Sequence, residues 1–580
     1  MLVFLLLLVT SSCLGGDVTT KFTVQKHWRN NFEGSFCFHL TSDIVGFEIF
    51  VSFDSGVKSL RQFECEWLGK HPDCATKITL VNKVSRALHK KGEDLCIRFL
   101  GELCGEGTPS GSATLKDLTV DHQKVPDIPH LSGLQSTKYN YAEVLEKSIL
   151  FYEAQRSGKL PKNNRIPWRA DSALGDKGNA GEDLTGGWYD AGDNVKFNFP
   201  MAWSTTVLTW GLLKWKDAYE KSGQLDYMYD SIRWPMDYLM KCHSKPNELY
   251  VQVGDGNIDH SSWTSPERMT SERPAFKIDT SHGGADVAME TAAALAAGSI
   301  AFKTKDAAYS HKLLTQAKSI YDFARKTNDR YSVTVHEAAK FYKSSDVSDE
   351  LGWGAVWMYK ATGDKSYIAE AEKHHDSGAA WGFSWDEKTA GLNMLLYEIT
   401  KKDMYKQDIV ATMKAWMPGG HLPYSPKCLA FRLTWGALRY SANTALIALM
   451  AADHGINPEP YRKWAMSQIH YALGDAGRSY VVGFGKNPPT QPHHRASSCP
   501  MLPAPCGSDA QRNPGPNPHT LYGALVGGPG KNDDYVDERK DYTKNEVACD
   551  YNAGFQSAVA GLLHLAIKHQ LPSEYLSICK

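Results

Sequence analysis

The hydrophobic pattern changes abruptly near residue 120, and this change most restricts what the chain can fold into. From Lys21 to about Leu118, apolar and polar residues alternate, as in Phe47-Glu-Ile-Phe-Val-Ser-Phe, with Gly, Asp and Asn between the runs. Such alternation is typical of strands that bury one face. The pattern therefore predicts a small all-β sandwich over residues 17–120.

A different periodicity follows a short irregular stretch. Residues 121–137 contain Pro126, Pro129 and Gly133 and show no period, so we interpret them as a linker. Over residues 138–580, apolar residues recur at spacings of three and four, which is typical of helices. The sequence therefore predicts an all-α domain. We count twelve helical runs: 139–158, 203–222, 227–242, 284–303, 306–326, 351–363, 366–380, 389–401, 403–415, 436–453, 459–473 and 552–569.

The N-terminus indicates export. Residues 1–16 combine an apolar run, Leu2 to Val9, with small residues up to Gly16, as in a secretory signal peptide. An apolar first helix of the mature fold is the alternative. No later run of apolar residues reaches the length of a membrane span. We expect a secreted monomer that does not bind membranes.

The cysteine pattern is consistent with that compartment. Twelve cysteines, less Cys13 of the proposed signal, leave an odd number, so we expect several disulfides and one remaining thiol. Pairs at C-x2-C spacing do not occur, which argues against a zinc ribbon.

Charge and motifs exclude several functions. The 64 Lys+Arg and 65 Asp+Glu residues nearly balance, so the chain lacks the basic surplus of a nucleic-acid-binding protein. The stretch from Gly527 to Lys531 lacks Walker spacing, and no Gly-x-Ser-x-Gly elbow occurs. Gly483-Phe-Gly485 runs into Pro488, where a Rossmann fingerprint needs glycine. Nucleotide-binding and serine-hydrolase functions are therefore excluded.

Two of the three long loops, 161–202 and 479–551, carry grouped polar residues. Asp190 and Asp193 flank Gly192 in the first, and two neighbouring carboxylates can share a proton or activate a water. A turn or helix cap is the alternative. In the other loop, His493, His494 and Arg495 follow a proline-rich stretch and offer donors to hydroxyl groups. A solvated basic loop or a di-histidine metal site are the alternatives there.

An acidic segment from Asp533 to Asp550 precedes the last helical run. Glu546 leads directly into that apolar run, so partial burial should raise its pKa and keep it protonated. A protonated acid opposite a carboxylate pair is the arrangement that glycoside hydrolysis requires. A solvated charged face is the alternative.

In this order, these segments closely resemble the glycoside hydrolase family nine cellulases, notably the secreted animal endo-β-1,4-glucanases. The resemblance extends over about residues 138–567 and implies an (α/α)6 barrel that hydrolyses internal bonds of cellulose and related β-glucans by inversion. The matching segments are Trp188-Tyr-Asp-Ala-Gly-Asp193, Asp259-His260 with Trp263, Asp349-Glu-Leu-Gly-Trp-Gly354, Leu438-Arg-Tyr-Ser-Ala-Asn443, Pro492-His-His-Arg495 and Asp537 to Glu546.

The resemblance also implies roles for individual residues. Asp193 matches the catalytic base, Asp190 its partner and Glu546 the general acid, and Asp537 matches the second acid of the last segment. The implied contacts with substrate come from His493, Arg495, His260, Trp263, Trp435 and Tyr542. No cofactor is required, although Asp349 and Glu350 match residues near a structural calcium ion of some members.

The predicted sandwich resembles, more faintly, a family-two cellulose-binding module. Trp28 matches one surface aromatic residue, and Phe63 or Trp67 a second. A purely structural domain is the alternative. For the whole chain, the alternatives are the same hydrolysis on another β-glucan or on xylan, and a catalytically silent carbohydrate-binding protein.

Overall fold

The computed structural model describes residues 17–70, 72–119, 125 and 128–573. The proposed signal peptide and residues 120–124, 126 and 127 of the linker region lie outside this part of the chain. The chain forms two compact units, one of Met1–Asp121 with Cys499–Asn513, and one of His122–Ser498 with Pro514–Lys580. The sequence had assigned residues 499–513 to the helical domain, whereas the structure groups them with the N-terminal unit.

The N-terminal unit is built from eight antiparallel strands, as the alternation predicts. Its strands are β1 (Val18–Lys21), β2 (Thr23–Trp28), β3 (Asn31–His39), β4 (Phe47–Gln62), β5 (Cys65–Trp67), β6 (Ala75–Asn82), β7 (Asp94–Leu103) and β8 (Gly111–Asp117). The first half of the long strand β4 pairs with β6 and β8, and its second half pairs with β7. Strand β4 therefore connects two groups of strands, one through each of its halves.

Phenylalanine rings fill the core of this unit. Phe32, Phe36, Phe53 and Phe99 are buried, and neighbouring rings in this group lie 5.7–6.5 Å apart between centroids. Alternate residues of each strand supply these rings, so the core follows directly from the two-residue period.

Three disulfides lie within the described residues: Cys37–Cys96, Cys74–Cys104 and Cys499–Cys506. Cys65, Cys242 and Cys549 are free and buried. The expectation of a single remaining thiol is therefore wrong. Two of them have polar partners: Cys242 accepts from the Asn198 amide at 3.3 Å, and Cys549 donates to the carbonyl of Tyr189 at 3.4 Å.

Among its described residues, the second unit contains twelve long helices, which match the twelve predicted runs. They are α1 (Tyr141–Ala154), α2 (Asn198–Lys214), α3 (Leu225–Cys242), α4 (Ala285–Phe302), α5 (Ala307–Ala324), α6 (Ser348–Thr362), α7 (Lys365–Lys373), α8 (Thr389–Thr400), α9 (Asp403–Trp416), α10 (Ala437–Asp453), α11 (Pro458–His470) and α12 (Cys549–Ile567). The run predicted over 203–222 is split at Trp215, after which a short helix, Lys216–Lys221, begins.

These helices form an (α/α)6 barrel. Each even-numbered helix packs on the next even-numbered helix, and α12 packs on α2, so six helices close an inner ring. Each odd-numbered helix packs outside this ring against an even-numbered neighbour. The inner helices are buried on nearly all sides, which explains why they carry small and apolar residues on every face.

Helix α4 corrects one reading of the sequence. Among the described helices, α4 alone is long and apolar enough to cross a membrane by length and composition, whereas the sequence had suggested that no such segment followed the N-terminus. Its residues are 94% buried inside the protein. Burial on all sides of a barrel helix selects the same composition as lipid does.

The helical unit also contains a small sheet that the periodicity did not predict. Strands β9 (Lys196–Phe197), β10 (Glu248–Val253) and β11 (Ala275–Asp279) pair in the order β11-β10-β9. Strand β9 follows Asp193 by three residues, and β10 precedes His260 by seven. The sheet therefore joins the long loop 161–202 to the long loop 244–283, close to Asp193 and His260.

Candidate active site

The segment that carries Asp190 and Asp193 turns tightly against a neighbouring loop. A Cβ atom at Gly192 would lie 2.0 Å from the carbonyl oxygen of His493, so only glycine permits this approach. The carbonyl of Gly192 accepts the backbone N–H of Arg495 at 2.9 Å. The segment 190–193 is therefore fixed to the loop that carries His493 and Arg495.

Backbone pairing brings the third segment to the same place. His493 and Glu546 form a parallel bridge, and the N–H of His493 donates to the carbonyl of Asn545 at 2.8 Å. The N–H of Gly192 also hydrogen-bonds to the Glu546 carboxyl group. The three segments that the sequence singled out thus meet at one site.

Gln155, just after helix α1, holds two of these segments from behind. Its amide nitrogen donates to the carbonyls of Tyr189 and Ala191, at 3.1 and 2.8 Å. Its amide oxygen accepts from Nε2 of the buried His494 at 2.8 Å. Burial lowers the pKa of His494 to about 3, so this ring is neutral and its role is to pack. This arrangement argues against a di-histidine metal site.

Asp190 is buried, and its Oδ2 accepts a hydrogen bond from the hydroxyl of Tyr342. Burial raises the pKa of Asp190 well above its usual value, and the charge of Asp193 adds to the effect. Oδ1 of Asp190 has no hydrogen-bond partner among the described residues. That oxygen remains able to contact a small polar molecule in the site.

Asp193 lies at the edge of the same site and pairs with His260. Its Oδ2 lies 2.8 Å from Nε2 of His260, and its Oδ1 has no partner within the described part of the chain. Burial lowers the pKa of His260, but the hydrogen bond and the charge of Asp193 outweigh burial, so the net pKa shift is upward. His260 therefore occupies one oxygen of Asp193 and leaves the other open to the site.

Glu546 has the protonation behaviour that the sequence predicts. Burial raises the pKa of Glu546 to about 8, and the charge of Asp193 contributes in the same direction, while the hydrogen bond from Gly192 opposes both. Helix α12 begins three residues later, at Cys549, whose N–H donates to the carbonyl of Asp190 at 2.8 Å. The same helix start therefore fixes the position of both acids.

His493 and Arg495 are held by several contacts. Nδ1 of His493 donates to the carbonyl of Arg539 at 2.7 Å, and burial lowers the pKa of His493 to about 4, which keeps the ring neutral. The Arg495 guanidinium donates to the carboxylate of Asp259 and to its carbonyl, the latter at 3.0 Å. Both side chains are positioned before any ligand arrives.

Asp537 has a different environment from the other acids. Its carboxylate accepts the N–H and the hydroxyl of Thr490 at 2.7 and 2.8 Å, and the N–H of Gln491 at 3.0 Å. Through these contacts Asp537 supports the loop that leads to His493. Among the described residues, it forms no hydrogen bond with Asp190, Asp193 or Glu546.

The predicted aromatic contacts fall into two groups. Trp435 and Tyr542 are 49% and 52% exposed, and their ring centroids lie 5.3 Å apart. Tyr542 also packs against His493, at 5.9 Å between rings. Trp263 is only 7% exposed, donates to the Ser498 hydroxyl at 2.9 Å and packs behind His493. Trp435 and Tyr542 therefore offer the open apolar surface.

The residues proposed for calcium make other contacts. The buried Glu350 accepts from Nζ of Lys388 at 2.7 Å, and Asp349 accepts the backbone N–H of Lys388 at 2.7 Å. Calcium requires six to eight oxygen ligands, and an ammonium group already neutralises Glu350. The pair therefore does not fit a calcium site. Among the described residues, one set of three possible metal ligands converges, namely Asp193, Asp259 and His260, which belongs to the site itself.

The aromatic residues proposed for cellulose binding differ in exposure and position. Trp28, at the end of β2, is 48% exposed, and Phe63, just after β4, is 74% exposed. Trp67, in β5, is partly buried and packs against the sandwich core. β5 pairs only with β6, whereas β2 pairs with β3, so Trp67 and Trp28 lie on strands that do not pair with each other.

Sequence reasoning missed Tyr342 and Gln155. Tyr342 lies 152 residues from Asp190, between two of the predicted helical runs, so nothing local indicates its role. Gln155 lies at the end of a predicted helix, where an amide is ordinary. A contact of this kind becomes visible only when the barrel brings the segments together.

Comparison with known proteins agrees with this geometry. The model of the family described as glycosyl hydrolase family 9 matches residues 141–559. Endoglucanase B of Cellulomonas fimi is 49% identical over 445 residues, which cover 73% of this chain and 42% of that protein. The chain thus spans less than half the length of this relative.

Solved structures give the same result. The structure of an endoglucanase from the termite Nasutitermes takasagoensis is 50% identical and covers 74% of this chain and 100% of its own, with a TM-score of 0.72. Endoglucanase CelQ from Clostridium thermocellum, solved with cellotetraose, is 39% identical and covers 75% of this chain and 72% of its own, with a TM-score of 0.67.

Proposed function

Because this chain belongs to glycosyl hydrolase family 9, we propose that it is a secreted, monomeric endo-β-1,4-glucanase that acts on cellulose and related β-glucans with inversion. The observation that carries the proposal is the meeting of Glu546 with the pair Asp190 and Asp193 through the backbone of His493. The cellotetraose bound to the related CelQ supports the substrate class.

Glu546 acts as the general acid. A pKa near 8 keeps its carboxyl group protonated at neutral pH, so it can donate a proton to the glycosidic oxygen as the bond to the sugar breaks. After the transfer, the carboxylate accepts the N–H of Gly192, which stabilises the charge that Glu546 acquires.

Asp193 acts as the general base. The attacking water donates one hydrogen bond to Oδ1 of Asp193 and the other to Oδ1 of Asp190, the two buried oxygens that lack a partner among the described residues. Asp193 takes the proton through Oδ1, while Nε2 of His260, 2.8 Å from Oδ2, holds the carboxyl group in place. Tyr342 orients Asp190, which serves as the water's second acceptor.

This division of roles supports inversion. A nucleophilic carboxylate would attack the sugar directly and would not need a second acid to orient a water. Direct displacement by water on the face opposite the leaving group yields an α-configured product from a β-linked substrate. An inverting acid and base should stand about 6.5–9.5 Å apart, against about 5–5.5 Å in a retaining pair.

Trp435 and Tyr542 supply the apolar surface for the sugar rings. The axial C–H faces of glucose pack on aromatic rings, while neutral His493 and the fixed guanidinium of Arg495 meet the hydroxyl groups. The glucan chain then lies along this surface with one bond near Glu546.

The test is the first product formed from a soluble cello-oligosaccharide, followed by proton NMR. We expect the first product to be an α-anomer, seen before mutarotation sets in. We also expect internal cleavage of carboxymethyl cellulose. A β-anomer as first product would exclude inversion. Preferential cleavage of xylan over glucan would show that xylan is the substrate. Binding of cello-oligosaccharides without turnover would favour the catalytically silent alternative.

The N-terminal sandwich has a separate proposed role as a cellulose-binding module. The exposed rings of Trp28 and Phe63 support it, because flat aromatic surfaces bind sugar faces. Trp67 is partly buried, so we assign it to the core of the module and not to its binding surface.

A further inference from the structure

Asn545, the residue before the proposed acid, has a side chain that is completely buried and fully paired. Its Oδ1 accepts the hydroxyl of Tyr535, and its Nδ2 donates to the carbonyl of Val536 at 2.9 Å. A carbonyl can only accept, so the contact with Val536 fixes which end of the amide faces it. A rotated amide would leave buried polar groups unpaired, so the side chain keeps a single orientation.

The segment that Asn545 binds is itself firmly held. The Tyr535 ring packs edge-on against Tyr480 at 5.1 Å between centroids, and the Arg478 guanidinium lies over the Tyr535 ring at 4.5 Å. Two residues after Tyr535, the Asp537 carboxylate accepts two backbone N–H groups of the loop that leads to His493. This segment therefore gives Asn545 a fixed support.

The backbone of Asn545 connects that support to the site. Its carbonyl accepts the N–H of His493 at 2.8 Å, and its N–H donates to the carbonyl of Asp541 at 2.9 Å. In the next residue, the carbonyl of Glu546 accepts the N–H of Gly527 at 2.9 Å. The backbone that carries the Glu546 side chain is thus bound before and after it, and the Asn545 amide links it to the supporting segment.

We propose that Asn545 is a positioning residue for the general acid: its buried amide fixes the backbone from which the Glu546 carboxyl group reaches the glycosidic oxygen. This inference rests on the proposed function and adds to it a residue that is too deeply buried to touch the sugar or the attacking water. The step that needs the Glu546 carboxyl group is protonation of the leaving oxygen. Loss of the Asn545 amide should therefore resemble a weaker form of the loss of the acid.

Asn545→Leu in the full-length chain tests the inference. Leucine is similar in size and uncharged, but it makes neither hydrogen bond, so the backbone before Glu546 becomes free to shift. We expect kcat on cello-oligosaccharides to fall about tenfold to hundredfold, since a displacement of about 1 Å in a reacting group can cost about a hundredfold. An aryl cellobioside whose leaving group needs no proton should be cleaved at nearly the wild-type rate. A general structural defect would lower both rates equally.

Tyr535→Phe is a milder variant that keeps the ring and removes the hydroxyl bound to Asn545. It should lower kcat on cello-oligosaccharides about twofold to tenfold and leave the aryl cellobioside unaffected. Tyr480→Phe is the matched control, because its ring packs on Tyr535 while its hydroxyl hydrogen-bonds to that of Tyr471. If Asn545→Leu does not fold by circular dichroism, Tyr535→Phe and its control settle the question.

A double variant gives a second readout. In a Glu546→Gln background, Asn545→Leu should cause no further fall in kcat on cello-oligosaccharides, because two residues that act through one group are not additive. Equal losses on the two substrates, wild-type kcat in Asn545→Leu, a further fall in the double variant, or an equally selective loss in Tyr480→Phe would each overturn the inference. If the unaltered protein hydrolyses no glucan, the proposed function fails and the inference with it, which is a distinct result.

Discussion

At the residue scale, the proton on Glu546 decides the chemistry. Glu546→Gln should lower kcat on cello-oligosaccharides by about a hundredfold to ten-thousandfold, because the leaving oxygen receives no proton. An aryl cellobioside whose leaving group needs no proton should be cleaved at nearly the wild-type rate. Steady-state kinetics on both substrates measure the difference, and equal losses on the two would remove Glu546 from the role of acid.

Tyr342 provides a second prediction at this scale. Tyr342→Phe removes the hydrogen bond to Asp190 and leaves a buried carboxyl oxygen unpaired, which costs about 1–3 kcal/mol and thus about a fivefold to hundredfold fall in kcat. KM should stay close to its wild-type value, because the tyrosine contacts the carboxyl group and not the sugar.

Tyr331→Phe is the matched control for Tyr342→Phe. Tyr331 is buried, and its hydroxyl donates to the carbonyl of Tyr342 at 2.6 Å, so it contacts the same residue but not Asp190. If both variants lose the same activity, the hydrogen bond to Asp190 has no special function.

At the scale of elements, the site depends on how closely two loops approach. Gly192→Ala places a methyl group 2.0 Å from the His493 carbonyl, where backbone on both sides must move. We expect a lower melting temperature and loss of most activity, since overpacking costs about 1–3 kcal/mol and shifts both carboxylates. Gly175→Ala, with nothing within 4 Å of its Cβ position, should leave calorimetry and activity unchanged.

Strand β2 carries the prediction for the binding module. Trp28→Ala should reduce retention on crystalline cellulose, because a flat exposed ring is lost, while hydrolysis of soluble substrate stays at the wild-type level. Phe50→Ala, which removes an exposed ring from β4, is the control. A pull-down with microcrystalline cellulose gives the readout, and equal retention of Trp28→Ala and wild type would argue for a purely structural sandwich.

At the scale of the whole molecule, the buried acid lowers stability at alkaline pH. The pKa of Glu546 is about 8 in the folded protein and is close to 4.5 in an unfolded chain. Between these values the folded state holds a proton that the unfolded state has released, so stability falls as pH rises through this window. The effect is complete above pH 8, where folding requires a buried negative charge.

Glu546→Gln should therefore unfold at a higher temperature than wild type at pH 8, and the difference should shrink towards pH 4.5. Differential scanning calorimetry across this range measures it, with Gly175→Ala as a variant expected to follow wild type throughout. A difference that is constant with pH would mean that the ionisation of Glu546 does not contribute to global stability.

The sequence predicted the helices well, because their signal is local. Apolar residues at spacings of three and four determine which face of a helix can be buried, and the twelve runs agree with helices α1 to α12. The alternation before residue 120 likewise predicted the strands of the sandwich. The resemblance to family nine, which extends over most of the chain, identified the family before any contact was known.

Only the tertiary structure decided what depends on residues far apart in the chain. The hydrogen bond of Tyr342 to Asp190, the pairing of Glu350 with Lys388 and the grouping of residues 499–513 with the sandwich unit join segments separated by 38 to several hundred residues. No periodicity encodes such pairs, because each side chain is chosen by the neighbour that folding brings to it. The spacing of neighbouring residues determines which positions are buried, whereas the closed barrel and the packed sandwich decide which partners the buried polar groups find.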